Sequence, residues 1–85
     1  MKIIILSAGT VGATVADTLA RHTDNEITVI DRNESAIRNL EQRLDIQTVI
    51  GNPGSPEVLR HAGAQDAELL IAVAPNDDTL SLIHI

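Results

Sequence analysis

Cysteine, tryptophan, tyrosine and phenylalanine are all missing from the 85 residues. Without thiols there is no disulfide framework and no thiolate metal site, which fits a reducing compartment, the cytoplasm by expectation. Without aromatic rings, a core must be built from Ile, Leu, Val and Ala. Lysine occurs once, at Lys2, so with no tyrosine present a Tyr-Lys hydride-transfer pair cannot be assembled. Long apolar runs are missing too. No stretch approaches the roughly 20 apolar residues that cross a bilayer, so any membrane link is expected to run through a partner and not by direct insertion. A formal net charge of −6, with six scattered Lys and Arg, opposes nucleic-acid binding, which clustered cations dominate. If phosphate is bound here, backbone N–H groups must do it.

What is present describes a small globular unit. Apolar residues make up 44% and charged residues 21%, which excludes a disordered tract. The length leaves room for one small domain or a piece of one. Apolar runs rich in β-formers alternate with segments of helical period, the pattern of parallel βαβ units. Lys2–Leu6 reads as a first strand covered on both faces; its apolar run is too short for a secretory signal and meets glycine at once. Further strands are expected at Glu26–Ile30, Thr48–Ile50 and Leu69–Val73. Val11, Val15 and Leu19 recur at helical spacing between the first two, with Ala13, Ala16 and Ala20 allowing close approach to the sheet. Asn33 reads as the N-cap of a second helix with Glu34 in its first turn and Ile37, Leu40 and Leu44 inward. Ser55-Pro56 begins a third helix that Gly63 stops. Asn76-Asp77-Asp78 reads as the cap and acidic first turn of a fourth, which continues into an apolar start at Leu80.

The chemistry concentrates where the first strand gives way to the first helix, in Ser7-Ala8-Gly9-Thr10-Val11-Gly12. A dinucleotide fingerprint uses one glycine for the tight turn, a second for backbone approach to the pyrophosphate and a third for helix-to-strand packing. Gly9 and Gly12 supply the last two. Ser7 stands at the first, where a positive φ would cost its Cβ roughly 1–2 kcal/mol. A lone G-x-x-G is weak evidence, since glycine also ends strands for structural reasons. Context strengthens it: the strand precedes directly, the helix follows directly, and Asp31 ends the second strand about 20 residues on, where a carboxylate accepts from ribose hydroxyls. A solvated turn acid is the competing account of Asp31. An acid there disfavours a ribose phosphate, which puts NAD(H) and ATP/ADP ahead of NADP, while Arg32 could meet a 2′-phosphate, stack on adenine or stay in solvent. His22 and His61 read as last-turn residues suited to the helix dipole, and Asp77 and Asp78 as a helix start, so neither catalytic residues nor a metal site are expected.

These residues resemble the TrkA N-terminal family of nucleotide-binding domains, also called RCK or KTN domains. The likeness runs nearly end to end. It is carried by Met1 to Leu6 leading into Gly9-Thr10-Val11-Gly12, by Ile27-Thr28-Val29-Ile30-Asp31, by Val49-Ile50-Gly51-Asn52, by Leu59-Arg60-His61-Ala62-Gly63-Ala64, and by Ala67-Glu68-Leu69-Leu70-Ile71-Ala72-Val73. It departs from the family pattern at Ser7, where glycine is usual, at Asn52, where aspartate is usual, and at Ala74-Pro75, where a Thr or Ser pair is usual. Asn52 can still offer a carbonyl and an amide to an adenine or ribose edge, whereas Ala74 offers only backbone.

The resemblance implies a Rossmann-like parallel sheet of order 3-2-1-4 with helices on both faces, truncated after the fourth strand. It implies a regulator and not an enzyme: a nucleotide-binding, cytoplasmic subunit of a potassium uptake system. Such a subunit forms a homo-oligomer in full-length form and lies at the inner face of the plasma membrane through a potassium-transporting partner. The alternative is the N-terminal cofactor-binding fragment of an NAD(P)-dependent oxidoreductase. Residues 1–79 are assigned to the domain. Leu80 to Ile85 read like a translated transposase-derived sequencing adapter, so native sequence is expected to end near Thr79. With that boundary the fourth strand has an open edge and one sheet face has only Pro56–Ala62 over it, which predicts a marginal monomer prone to dimerise or aggregate.

Overall fold

The computed structural model describes residues 1–7, 9–22 and 24–73, and the backbone of 80–84. Strand β1 (Lys2–Leu6) leads to helix α1 (Thr10–Ala20), β2 (Glu26–Asp31), α2 (Glu34–Arg43) and β3 (Gln47–Ile50). Then come α3 (Pro56–His61), a 3₁₀ turn over Ala64–Asp66, β4 (Leu69–Val73) and β5 (Leu80–His84). The strands form one sheet of order β3-β2-β1-β4-β5. The first four are parallel, as the alternating pattern predicts, with Leu6 opposite Ile30 on one side and Ala72 on the other.

β1 holds the centre because both of its faces are covered. Ile3, Ile4 and Ile5 are all 1% exposed or less, and burying each contributes about 1.5–3 kcal/mol. Side chains alternate along a strand. Ile3 and Ile5 therefore join Val29, Ala16, Ile37 and Leu40 under α1 and α2, whereas Ile4 joins Ile30 and Ala62 on the opposite face, where α3 brings Val58 and Leu59. The distribution of helices follows from chain direction. The connections from β1 to β2 and from β2 to β3 step one way along the sheet, and the connection from β3 to β4 steps back past β1. Right-handed crossovers then place α3 on the other side.

Local chemistry ends the helices where the sequence suggests. Asn33 Oδ1 accepts from Ala36 N–H at the front of α2 (3.1 Å), and Ser55 Oγ accepts from Val58 N–H at the front of α3 (3.4 Å). Gly63 follows α3 at φ +88°, a left-handed conformation that suits glycine. Asn25 Nδ2 donates to Leu19 O (2.9 Å) beyond the end of α1. A hydrogen bond between Thr48 and Glu41 ties α2 to β3.

Four expectations need correction or a limit. Gly12 and Ala16 seat α1 on the sheet as expected of them, both buried, with Val15 and Leu19 packed at the flanks, but Val11 is only half-buried and lies outside this core cluster. A valine line would hold the helix away, and the smaller residues allow the closer approach. His61 ends α3, but His22 lies just past α1, whose C-cap is Arg21. Leu80–His84 is a strand antiparallel to β4, with Val73 opposite Leu80 and Leu69 opposite His84. The sheet does not stop at its fourth strand, and the edge of β4 expected to be open is paired: a five-residue segment satisfies its backbone more readily on a strand edge than as one turn of helix. The helix expected at Asn76-Asp77-Asp78 lies outside the described residues.

Candidate functional site

The C-terminal edge of the parallel strands brings the singled-out residues into one row. Ser7 follows β1, Asp31 closes β2, and Gly51 and Asn52 follow β3. Ser7 N–H donates to Ile30 O (2.8 Å) and Gly51 N–H donates to Asp31 O (2.9 Å), so each loop leaves the sheet pinned to its neighbour. The order in which strands are added to the sheet reverses between β1 and β4, which stay parallel, and crevices outside the carboxyl ends of strands at such a point are where open α/β sheets take ligands.

Gly9 is the N-cap of α1 in extended backbone, and Thr10, Val11 and Gly12 form its first turn. Among the described residues no side chain caps this helix, and no acid stands in its first turn. The amides of Thr10 to Gly12 therefore carry the partial positive charge of the helix front with no capping side chain among the described residues to answer it. A Cβ on Gly9 would meet only Ser7 Oγ, at 3.7 Å. Gly12 is different. A Cβ there would lie 2.1 Å from Ser7 O and 3.0 Å from Ser7 C, so only glycine lets α1 cross this close to the end of β1. The two glycines thus divide their work, Gly9 leaving space at the helix front and Gly12 permitting contact behind it.

Ser7 takes φ +128°, the one positive value among described residues other than glycine. The condition posed by the sequence is met, and the side chain holds a conformation that costs about 1–2 kcal/mol. Two contacts impose it: the amide is fixed to Ile30 O and the carbonyl lies against Gly12. Its hydroxyl turns back into the loop, where Gly9 N–H donates to Ser7 Oγ (3.3 Å).

Asp31 is half-buried, and its Oδ1 accepts from Asn33 N–H (2.9 Å). The spacing Asp31-Arg32-Asn33 is a signal for such a turn that sequence reading passed over. Arg32 is exposed at the mouth of the same turn. Asn52 is likewise built into its loop, where Oδ1 accepts from Gly54 N–H (2.9 Å) and its carbonyl accepts from Ser55 N–H (3.0 Å). An N–H can be met only by the oxygen of the amide, so Asn52 keeps Nδ2 as its remaining donor group. Ala74 lies outside the described residues, as does Ala8 within the loop.

One feature of the surface was not legible beforehand. An open groove of about 730 Å³ begins at Gly9 and Thr10 and runs between α1 and α2 over Ala13 and Leu40 to Arg43. Asp31 and Asn52 are not among its walls. It exists because small residues on the facing sides of the two helices do not fill the space between them. Among the described residues no cluster of three His, Asp or Glu is arranged to hold a metal, and no helix is long and apolar enough to cross a membrane.

Comparison with known proteins adds an independent line. The family model described as the TrkA-N domain matches residues 3–85. The Trk system potassium uptake protein TrkA of Halomonas elongata is 54% identical over 78 residues, which cover 92% of this chain and 17% of that protein. The protein of the same name from Haemophilus influenzae is 47% identical over 78 residues, with the same shares covered. A Trk system potassium uptake protein TrkA homolog from Archaeoglobus fulgidus is 35% identical over 78 residues, again 92% of this chain and 17% of the other. The chain thus spans about one sixth of the length of these relatives.

Proposed function

The chain belongs to the TrkA-N domain family, and on that premise we propose that it is a nucleotide-binding regulatory domain of a potassium uptake system. The nucleotide is NAD(H) or ATP/ADP, held at the C-terminal edge of the sheet. One observation carries this reading: among the described residues the front of α1 has neither a side-chain cap nor an acid in its first turn, beside the loop that a ligand must reach. Phosphate oxygens complete such a helix front without any lysine, which suits a chain of net charge −6. The residues fit the group. Gly9 leaves room for an anion, and Asp31 stands one strand away to accept from the ribose hydroxyls. A carboxylate has about four acceptor positions, of which the bond from Asn33 takes one. A 2′-phosphate beside Asp31 would face like charge, which favours NAD(H) over its phosphorylated counterpart.

Regulation then takes the form of a population shift. Relatives bear the name of a potassium uptake system, and a nucleotide changes transport by a membrane partner only if it binds one conformation of the assembly better than the other. The chemistry required of the domain is binding, not bond-making. No nucleophile elbow and no Tyr-Lys pair stands in the sequence, and His22 and His61 lie at helix ends away from the loop. The domain acts at the cytoplasmic face, through its partner, as one copy in a larger homo-oligomer.

Titration of the full chain with ATP, ADP, NADH and NADPH, read by calorimetry and by amide chemical shifts, tests the proposal. Saturable binding of ATP, ADP or NADH that moves the Gly9 to Gly12 and Asp31 signals is the expected result. Preference for NADPH would favour the oxidoreductase fragment instead. Binding that leaves those amides unmoved would refute the assignment of the site.

A further inference from the structure

We propose that Ser7 sets the nucleotide affinity of this loop by acting as a built-in competitor for one of its amides. The inference rests on the binding reading above, and concerns a residue that the family pattern does not supply. Three observations meet at Ser7. Its backbone sits at φ +128°, where an L side chain is strained. That backbone is clamped from both sides, with Ser7 N–H on Ile30 O at 2.8 Å and Ser7 O so close to Gly12 that a Cβ would reach 2.1 Å. From this position the hydroxyl reaches the Gly9 amide at 3.3 Å.

The consequence follows from the inventory of donors. Gly9 N–H is the first amide of the turn that an anion would meet, and it already donates to Ser7 Oγ. A phosphate oxygen that takes this donor must displace the hydroxyl. The displaced bond is long and exposed, so it belongs to the weak end of net hydrogen-bond strengths. Affinity is therefore lowered by about two- to fivefold relative to a loop with an unengaged amide. Strain plays a separate part. The clamp on Ser7 N–H and Ser7 O does not depend on the side chain, so φ stays positive in the free and the bound domain, and relief of strain changes stability without changing affinity.

Two variants separate the terms. Ser7→Ala keeps the Cβ and its strain and removes only the hydroxyl; Ser7→Gly removes both. In the full chain, titrated with ADP, ATP and NADH by calorimetry, both variants should bind about two- to fivefold more tightly than the parent chain. Only Ser7→Gly should also melt a few degrees higher. In the ligand-free state the Gly9 amide proton should move upfield in both, as it loses its acceptor. Tighter binding by Ser7→Gly alone would overturn the proposal, because strain and not the hydroxyl would then control affinity. Equal or weaker binding by Ser7→Ala would overturn it as well, the second result making the hydroxyl a ligand contact. If the parent chain and both variants bind none of the three nucleotides while the Gly9 amide still shifts, the binding reading falls together with the competition. If both variants bind more tightly than the parent chain, both readings stand.

Discussion

The three helix fronts of this domain are built in two ways. At α2, Asn33 accepts from Ala36 N–H and Glu34 occupies the first turn; at α3, Ser55 accepts from Val58 N–H, Pro56 opens the helix and Glu57 supplies the acid. Each device answers an orphan donor or the positive end of the dipole from within the chain. At α1 there is no cap and no acid, and the first turn carries Thr10, Val11 and Gly12. Among the described residues, the same chain that caps two helix fronts leaves the third uncapped, beside the C-terminal edge of the sheet. The difference teaches where the proposed anion would have a role that no described side chain fills.

That contrast can be broken most severely at Gly12. Gly12→Ala forces a Cβ against Ser7 O at 2.1 Å, which only a displacement of α1 relieves. The expected cost is about 2–4 kcal/mol, seen as a melting temperature lowered by ten degrees or more with nucleotide binding lost; a cooperative melt near that of the parent chain would show that the close crossing is not needed. Gly9→Asp makes the front of α1 resemble the other two. Gly9 already has the extended φ of −68° and has room for a Cβ, so the aspartate should cap the helix and raise stability by a few tenths of a kcal/mol. It should also repel phosphate and weaken ADP binding by about tenfold or more. If ADP affinity survives this substitution in calorimetry, the front of α1 is not where the phosphates sit. The smallest effect is expected from the opposite manipulation, Ser55→Ala, which opens the front of α3. Stability should fall by about 0.5–1 kcal/mol with no change in ADP affinity, and a loss of affinity there would mean that the two fronts are not independent.

Much of this was legible in the residues because the relevant physics is local. The run Ile3-Ile4-Ile5 announces a strand buried on both faces, and the caps at Asn33 and Ser55 announce their helices. The requirement placed on Ser7 was likewise readable, as a position where glycine is wanted and serine stands. Other features were hidden for definite reasons. The helical spacing of Val11, Val15 and Leu19 points to one inward stripe, yet Val11 stays outside the core cluster, because the distance of α1 from the sheet is set by Gly12 and Ala16 at the crossing. Leu80 to His84 read as a non-native tail or, alternatively, a helix start, and not as a strand, since so short a segment carries no period of its own and its pairing with β4 is a contact made at a distance in the chain. The groove between α1 and α2 was hidden for the same reason, being a property of two helices and not of either.

By itself the sequence determined the alternation of strands and helices, the positions of the glycines, the acid at the end of β2 and the scatter of its six Lys and Arg. These are matters of composition, period and near-neighbour hydrogen bonding. Only the tertiary structure decided that Ser7 O bears on Gly12, that the Ser7 hydroxyl holds the Gly9 amide, and that β5 covers the edge of β4. Those outcomes depend on how closely one element can approach another, a quantity that sheet register and helix packing establish together and that no single segment contains.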